Sequence, residues 1–524
     1  MSSTRIWDLI RTLNKNWDSS TSSDVTLRSR ESKYSKLLDL MNGDAADEQM
    51  GAGPPHLELV QSFKNVPIFT AAVEKFVHSA LPTDEKTSEL VPKYGLIGSR
   101  CDLGSKTASK EDRLVLGNFG IPWSAFICGS RGSGKSHTLR CLLENALLAN
   151  NNAGDPLSGM VMHFDNYTSR NTAQVCEAAY LCSSGIPVTV LVSPSNLLEM
   201  KRLYGNLPGL RPDDPKPKVV PLYLEEHQLD VFRILKFLGI IDGNKSPPLY
   251  MTVVREIVRE MSMEGTAFTY KKFRERLADV EWFGKYRRGE QETSLNVRLQ
   301  FLDNFIAASE SRIMQSMGPT QSPENIWAFK PGSLTIVDLN DPIIHSEEAC
   351  ALFSVCLSIF VKNQQQCGRI VALDEATKFL GYSVEANLLT KELISIIRHP
   401  ENTGTHVVVA AEKLALSPKL ISLANATFVH RLPSPNSYSI LMEHLSGANR
   451  KDSDRDDKSL FNRITALPTG RALLFCPTAQ MDVVDSLPAP SDGNGGGTRR
   501  RNEKFNGILT SGNFMKLAEK GARE

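Results

Sequence analysis

Eight consecutive residues carry the plainest chemistry in this sequence: Gly129, Ser130, Arg131, Gly132, Ser133, Gly134, Lys135 and Ser136. They fit G-x-x-x-x-G-K-[ST], a phosphate-binding P-loop. Glycines at that spacing let the backbone curl until successive N–H groups face one anion. Lys135 can reach the outer phosphates of a nucleotide, and the Ser136 hydroxyl can ligate Mg²⁺. His137 follows directly and is grouped with the phosphate-binding residues. Such a loop needs an acidic partner on a neighbouring strand, because Mg²⁺ takes a carboxylate into its coordination sphere. Roughly 240 residues on, Ile370, Val371, Ala372 and Leu373 run into Asp374 and Glu375. Asp374 is expected to hold Mg²⁺ through water, and Glu375 to polarise an attacking water as general base. The bland alternative for the two acids is a solvated strand end.

The elements that must position these groups are legible around them. Residues 125–128 form a short apolar run that predicts a buried strand leading into the loop. Residues 137–149 predict a helix, with Leu139, Leu142, Leu143, Ala146 and Leu147 at helical spacing. Strand patterns recur at 160–164, 187–192, 334–337, 370–373, 407–410, 427–429 and 472–475. Helical stretches separate many of them, the alternation of a parallel sheet covered by helices. Asp338 ends one such strand and could face a nucleotide or cap a helix. The expected fold is α/β: a P-loop NTPase of RecA/ASCE-like type, with a mostly parallel sheet sandwiched by helices.

The expected organisation is a disordered N-terminal tail over 1–55, with a possible short amphipathic helix at Ile6, Leu9, Ile10 and Leu13, then an extension over 56–118. A first core segment covers 119–205, a mainly helical insertion 206–330, and a second core segment 331–487. A Pro-, Gly- and Ser-rich tail over 488–524, also disordered, ends the chain.

The composition narrows the classes. A net charge of +1 exerts no global pull on nucleic acid or membrane, so any such binding needs a local patch. No apolar run approaches a membrane span, and the first residues lack the apolar segment of a signal peptide. A mitochondrial presequence is faintly suggested by Arg5, Arg11 and Lys15 and opposed by Asp8, Asp18 and Asp24. The nine cysteines form no C-x-x-C pair and predict reduced thiols in an intracellular protein, cytoplasmic or nuclear. His137, His399, His406 and His430 lack metal-ligand spacing and read as structural. The clearest basic patch is Lys271, Lys272, Arg274, Arg276, Lys285, Arg287 and Arg288, interleaved with Phe273, Trp282, Phe283 and Tyr286. It reads either as a surface for phosphates and stacked bases, or as an amphipathic helix with a solvated charged face. Arg499, Arg500 and Arg501 could serve a nuclear signal or a phosphate contact, or simply solubility.

Taken in order, these motifs resemble the HerA/FtsK-type ATPases, the translocase branch of the P-loop proteins. The matching stretches are 129–136, the strand ending at Asp165, 331–339, Leu373 to Ala376, the helix ending at Arg398 and His399, 404–412, 425–432 and 468–475. The run 122–138 is similar to that of a group of uncharacterised fungal P-loop proteins. The resemblance implies ATP and Mg²⁺ as ligands, ATP hydrolysis, a homo-oligomer such as a hexameric ring, and DNA as a translocated polymer. It also implies an arginine that stabilises transition-state charge in the neighbouring subunit, with Arg398 and Arg431 as the matching positions. The chain departs from the family after the strand at 407–410. A glutamine usually stands there, whereas this sequence has Ala411 and Glu412. A carboxylate near the γ-phosphate is repelled unless protonated or turned away, so either hydrolysis is slow or Glu412 faces elsewhere. Two other readings stand beside the ATPase: a nucleotide-binding switch or scaffold with little turnover, and a P-loop kinase.

Overall fold

Short runs of Val, Ile, Leu, Ala and Met with no polar alternation build the centre of the molecule. The computed structural model describes residues 61–79, 91, 93–101, 110–148, 155–165, 174–239, 249–265, 268–279, 290–306, 325–362, 367–445, 454–482 and 514–517. The strands are β1 (Ile68–Thr70), β2 (Tyr94–Arg100), β3 (Leu114–Asn118), β4 (Ser124–Cys128), β5 (Ser158–His163), β6 (Val188–Val192) and β7 (Lys218–Pro221). After the helical segment come β8 (Leu334–Asp338), β9 (Arg369–Leu373), β10 (Thr405–Ala411), β11 (Ala426–Val429), β12 (Arg471–Phe475) and β13 (Phe514–Leu517). They form one thirteen-stranded sheet in the order β1-β3-β2-β13-β12-β11-β4-β10-β9-β5-β8-β6-β7. From β11 to β7 every pairing is parallel, and from β1 to β12 the sheet is antiparallel.

Strands β4, β5, β8, β9 and β10 are buried at every residue, as in a parallel sheet covered on both faces. The period of two divides β4 between the faces. Ala125 and Ile127 join one core with Leu139, Leu142 and Leu143 of α1 (Lys135–Leu147). Phe126 and Cys128 join the other core. That second core includes residues from α2 (Val231–Phe237), α3 (Leu249–Met263), α4 (Tyr270–Ala278), α5 (Glu290–Asp303), α6 (Ser346–Lys362) and α7 (Val384–Arg398). In α6 residues 349–360 are all buried, because α2 and α7 pack on it. A helix apolar on all sides is stable only when covered on all sides. All of these elements belong to one compact unit, Phe63–Glu524.

Sheet order decides what meets at the functional edge. Strand β10 lies between β4 and β9, with Ala411 beside Cys128 and Val409 beside Leu373. The three strands run parallel, so residues 129, 374 and 412 emerge at the same edge. This is the mostly parallel α/β sheet that the strand pattern predicts. Within 206–330, where helices were expected, α2 to α5 are joined by β7, which extends the parallel sheet beside β6. Of residues 488–524, only Phe514–Leu517 are described, and they pair with β12 and β2. Asp338 neither lines the cavity at this edge nor caps a helix. It is fully buried and accepts hydrogen bonds from the Tyr204 hydroxyl and, at 3.0 Å, from Asn340 N–H. The N-terminal tail, the second half of the basic patch and Arg499 to Arg501 lie outside the described residues.

Candidate functional site

Residues 129–134 close a tight loop between β4 and α1. Gly129 and Gly134 have φ of 156° and 113°. A Cβ on Gly129 would lie 2.6 Å from His430 Cβ and 2.7 Å from Ser133 Oγ. A Cβ on Gly134 would lie 3.2 Å from Gly470 N. Backbone from two later elements therefore presses against the loop. Ser130 N–H donates to Arg431 O at 2.8 Å, and Gly470 N–H to Ser133 O at 3.1 Å. His430 sits beneath, its Nε2 2.7 Å from Thr138 Oγ1 of α1. Burial lowers the His430 pKa to about 4, so the ring is a neutral part of the scaffold.

Lys135 opens α1, is buried, and donates from Nζ to Ser130 O at 3.1 Å across its own loop. Burial lowers its pKa, and the charges of Glu412, Glu375 and Asp374 oppose that shift. Ser136 Oγ lies 3.5 Å from Asp374 Oδ1, across 238 residues of sequence. Asp374 is itself buried, with its N–H donating to Met162 O at 3.1 Å. Burial raises the Asp374 pKa, and His163 is the strongest opposing influence. Arg131 is exposed on the loop, and His137 is half-buried with Nδ1 3.2 Å from the Arg140 guanidinium.

Glu375 is the only described non-glycine residue with positive φ, at 50°. Its carboxylate is ion-paired with Lys378, whose Nζ also lies 3.2 Å from Asp165 Oδ2. Burial works to lower the Lys378 pKa, but the bonds and charges of Glu375 and Asp165 outweigh it and raise it. Beside the acids lies a cavity of about 370 Å³ lined by Ser136, Arg140, His163, Gln174, Val175, Glu177, Tyr180, Asp374 and Glu375.

The two arginines fall at opposite edges. Arg431 follows β11 at the loop's edge and is half-buried. Arg398 is exposed at the end of α7, a few residues before β10 begins, and so lies at the far edge of the sheet. In the described half of the basic patch, Phe273 is buried, Arg274 lies 3.2 Å from Asp303, and Arg276 pairs with Glu264. Lys271 and Lys272 remain exposed there. Sequence reasoning missed Lys378, His163, Gln174 and Cys176. Lys378 carries a local signal, a base three residues past an acid. The others belong to a different strand and loop, and nothing in their spacing links them to Asp374.

No protein-family model and no curated protein matches the chain. Among solved structures, it is similar to VirB4 of Thermoanaerobacter pseudethanolicus, at 11% identity and TM-score 0.44, over 74% of this chain and 94% of that one. It is similar to B204, the DNA-packaging ATPase from Sulfolobus turreted icosahedral virus, at 10% identity and TM-score 0.26, over 68% and 93%. It is similar to EssC (ATPases 2 and 3) from Geobacillus thermodenitrificans, at 14% identity and TM-score 0.27, over 73% of this chain and 42% of that one.

Proposed function

We propose that the chain binds ATP with Mg²⁺ at residues 129–137 and hydrolyses it. The observation that carries this is the approach of Ser136 Oγ to Asp374 Oδ1, 3.5 Å, beside a glycine loop with no room for side chains at Gly129 and Gly134. The donor set fits: a hydroxyl and a carboxylate for a hard dication, backbone N–H groups and Lys135 for phosphates. Ser136 and Asp374 are the residues that would hold Mg²⁺. When bound, that ion neutralises charge on the terminal phosphate oxygens. Lys135 holds the outer phosphates, Glu375 accepts the proton of the attacking water, and Arg431 or Arg398 serves a neighbouring subunit.

We further assign a homo-oligomer, with a hexameric ring and DNA as the translocated polymer. That finer reading rests on the motif resemblance to HerA/FtsK-type ATPases, and the likeness to fungal P-loop proteins on residues 122–138. The test is an ATPase assay of purified protein with Lys135→Ala and Glu375→Gln. Wild-type turnover no higher than that of either variant overturns hydrolysis. Repeating the assay with DNA across a salt series tests the polymer, since phosphate contacts lose strength steeply with salt.

A second reading is favoured by two observations: Glu375 is engaged by Lys378, and Glu412 directly follows β10, close enough to influence Lys135. In that reading ATP binding orders an interface and Lys378 latches the base. Lys378→Met then raises turnover above wild type. Equal or lower turnover in that variant removes the latch.

A further inference from the structure

The two oxygens of Asp374 face different neighbours. Oδ1 approaches Ser136, whereas Oδ2 lies 4.0 Å from Nδ1 of His163 at the end of β5. His163 is 3% exposed. Its Nε2 lies 3.2 Å from the Gln174 carbonyl, which fixes the proton on Nε2. Nδ1 is buried, has no hydrogen-bond partner, and faces a carboxylate. A cation held between Nδ1 and Oδ2 would give both buried atoms a partner. A third donor completes the arrangement. The Cys176 thiol is fully buried, and one ligand atom from each of His163, Cys176 and Asp374 lies within 4.8 Å of the others. Cys176 is anchored by its N–H, which donates to the Tyr204 hydroxyl at 3.0 Å, and Tyr204 is held by Asp338.

We propose that His163, Cys176 and Asp374 form a site for Zn²⁺, and that filling it withdraws Asp374 from the Mg²⁺ position. Ligands of a tetrahedral zinc stand about 3.5 Å apart at its usual bond lengths, a contraction that small side-chain rotations supply. The second partner is also in place, since metal-bound imidazoles commonly donate their other N–H to a carbonyl. On binding, the Cys176 thiol releases its proton to water as the sulfur–zinc bond forms. Thiolate and carboxylate then balance the charge of the dication. The fourth position opens toward the cavity beside Ser136, and water fills it. Mg²⁺, which avoids sulfur, does not compete for the Cys176 side. Zinc binding stands by itself; only the inhibition that follows rests on the nucleotide reading.

The full chain, freed of metal, is titrated with Co²⁺ and then Zn²⁺. One equivalent of Co²⁺ is expected to give a thiolate-to-cobalt charge-transfer band that Zn²⁺ abolishes. Cys176→Ser removes the band, and His163→Gln weakens binding by more than about 100-fold, beyond the loss of an outer-shell partner. A band that persists in Cys176→Ser, or its absence in wild type, overturns the site. Should either variant unfold, X-ray absorption of the zinc-loaded wild type decides. One sulfur with nitrogen and oxygen ligands supports the site, and two or more sulfurs or none refutes it. ATPase inhibition by Zn²⁺ that a chelator reverses supports the coupling. Stoichiometric zinc binding with unchanged turnover refutes the coupling but keeps the site, and zinc binding in a chain without ATPase activity counts against hydrolysis alone.

Discussion

Glu375 occupies left-handed backbone, φ 50°, that non-glycine residues rarely adopt and that is found mainly where structure around the residue enforces it. The turn carries the carboxylate out of β9 and onto Lys378, three positions on. Glu375→Gln preserves this turn, so the variant is expected to keep ATP affinity and lose about 10²–10⁴ in kcat, the range of a general base. Stopped-flow phosphate release against nucleotide titration separates the two quantities. A pH effect belongs at the same scale. His406 is enclosed by Phe119 and Trp123, at ring-centroid distances of 5.9 and 6.0 Å, and burial lowers its pKa from 6.5 to about 4. His430 is lowered to the same value. The unfolded chain takes up both protons below pH 6.5, whereas the fold resists until about 4. Their contribution is therefore complete above neutrality and is lost as pH falls through that window, up to about 3 kcal/mol for each ring. Urea unfolding between pH 7.5 and 4 is expected to show this loss, and His406→Gln to reduce its slope by about one proton, or 1.4 kcal/mol per pH unit.

Among the elements, the loop between β4 and α1 is shaped as much by its neighbours as by its own glycines. Arg431 O accepts from Ser130 N–H, Gly470 N–H donates to Ser133 O, and the Thr469 hydroxyl lies 3.4 Å from Gly132 O. Two glycines of the same motif should therefore respond differently. Gly134→Ala drives a Cβ to 3.2 Å from Gly470 N at φ 113°, and is expected to cost about 1–2 kcal/mol and weaken ATP binding more than about tenfold. Gly132→Ala meets nothing within 4 Å and pays only the left-handed conformation at φ 71°. Thermal unfolding and a fluorescent-nucleotide titration of both variants measure the contrast. In α6, Leu357→Ala opens a cavity in a helix covered on all sides and is expected to cost about 2–5 kcal/mol by urea unfolding.

At the scale of the whole molecule, a net charge of +1 leaves polymer binding to local surfaces, and the described part of the basic patch spends Arg274 and Arg276 on Asp303 and Glu264. DNA stimulation of turnover, if carried by Lys271 and Lys272 alone, is expected to have a shallow salt dependence, about two charges in slope. A steeper slope in the ATPase-versus-salt series assigns contacts to other residues.

What the sequence by itself determined is local. The glycine, lysine and serine spacing of 129–136 and the apolar run ending in Asp374 and Glu375 are read within a few residues, because backbone curvature and strand burial leave marks in adjacent positions. Likewise α1 showed itself by its leucine spacing, and β4, β8, β9 and β10 by apolar runs. Tertiary structure decided the rest. Only the placing of β10 between β4 and β9 brings Ser136 to Asp374. Only the pairing of β5 with β9 sets His163 beside the same carboxylate, and only a separate loop brings Cys176 there. Asp338 looked in sequence like Asp374, an acid ending an apolar strand, yet Tyr204 covers one while Ser136 and an open cavity meet the other. Desolvation and pairing set what a carboxylate does, and both come from chain segments far away in sequence.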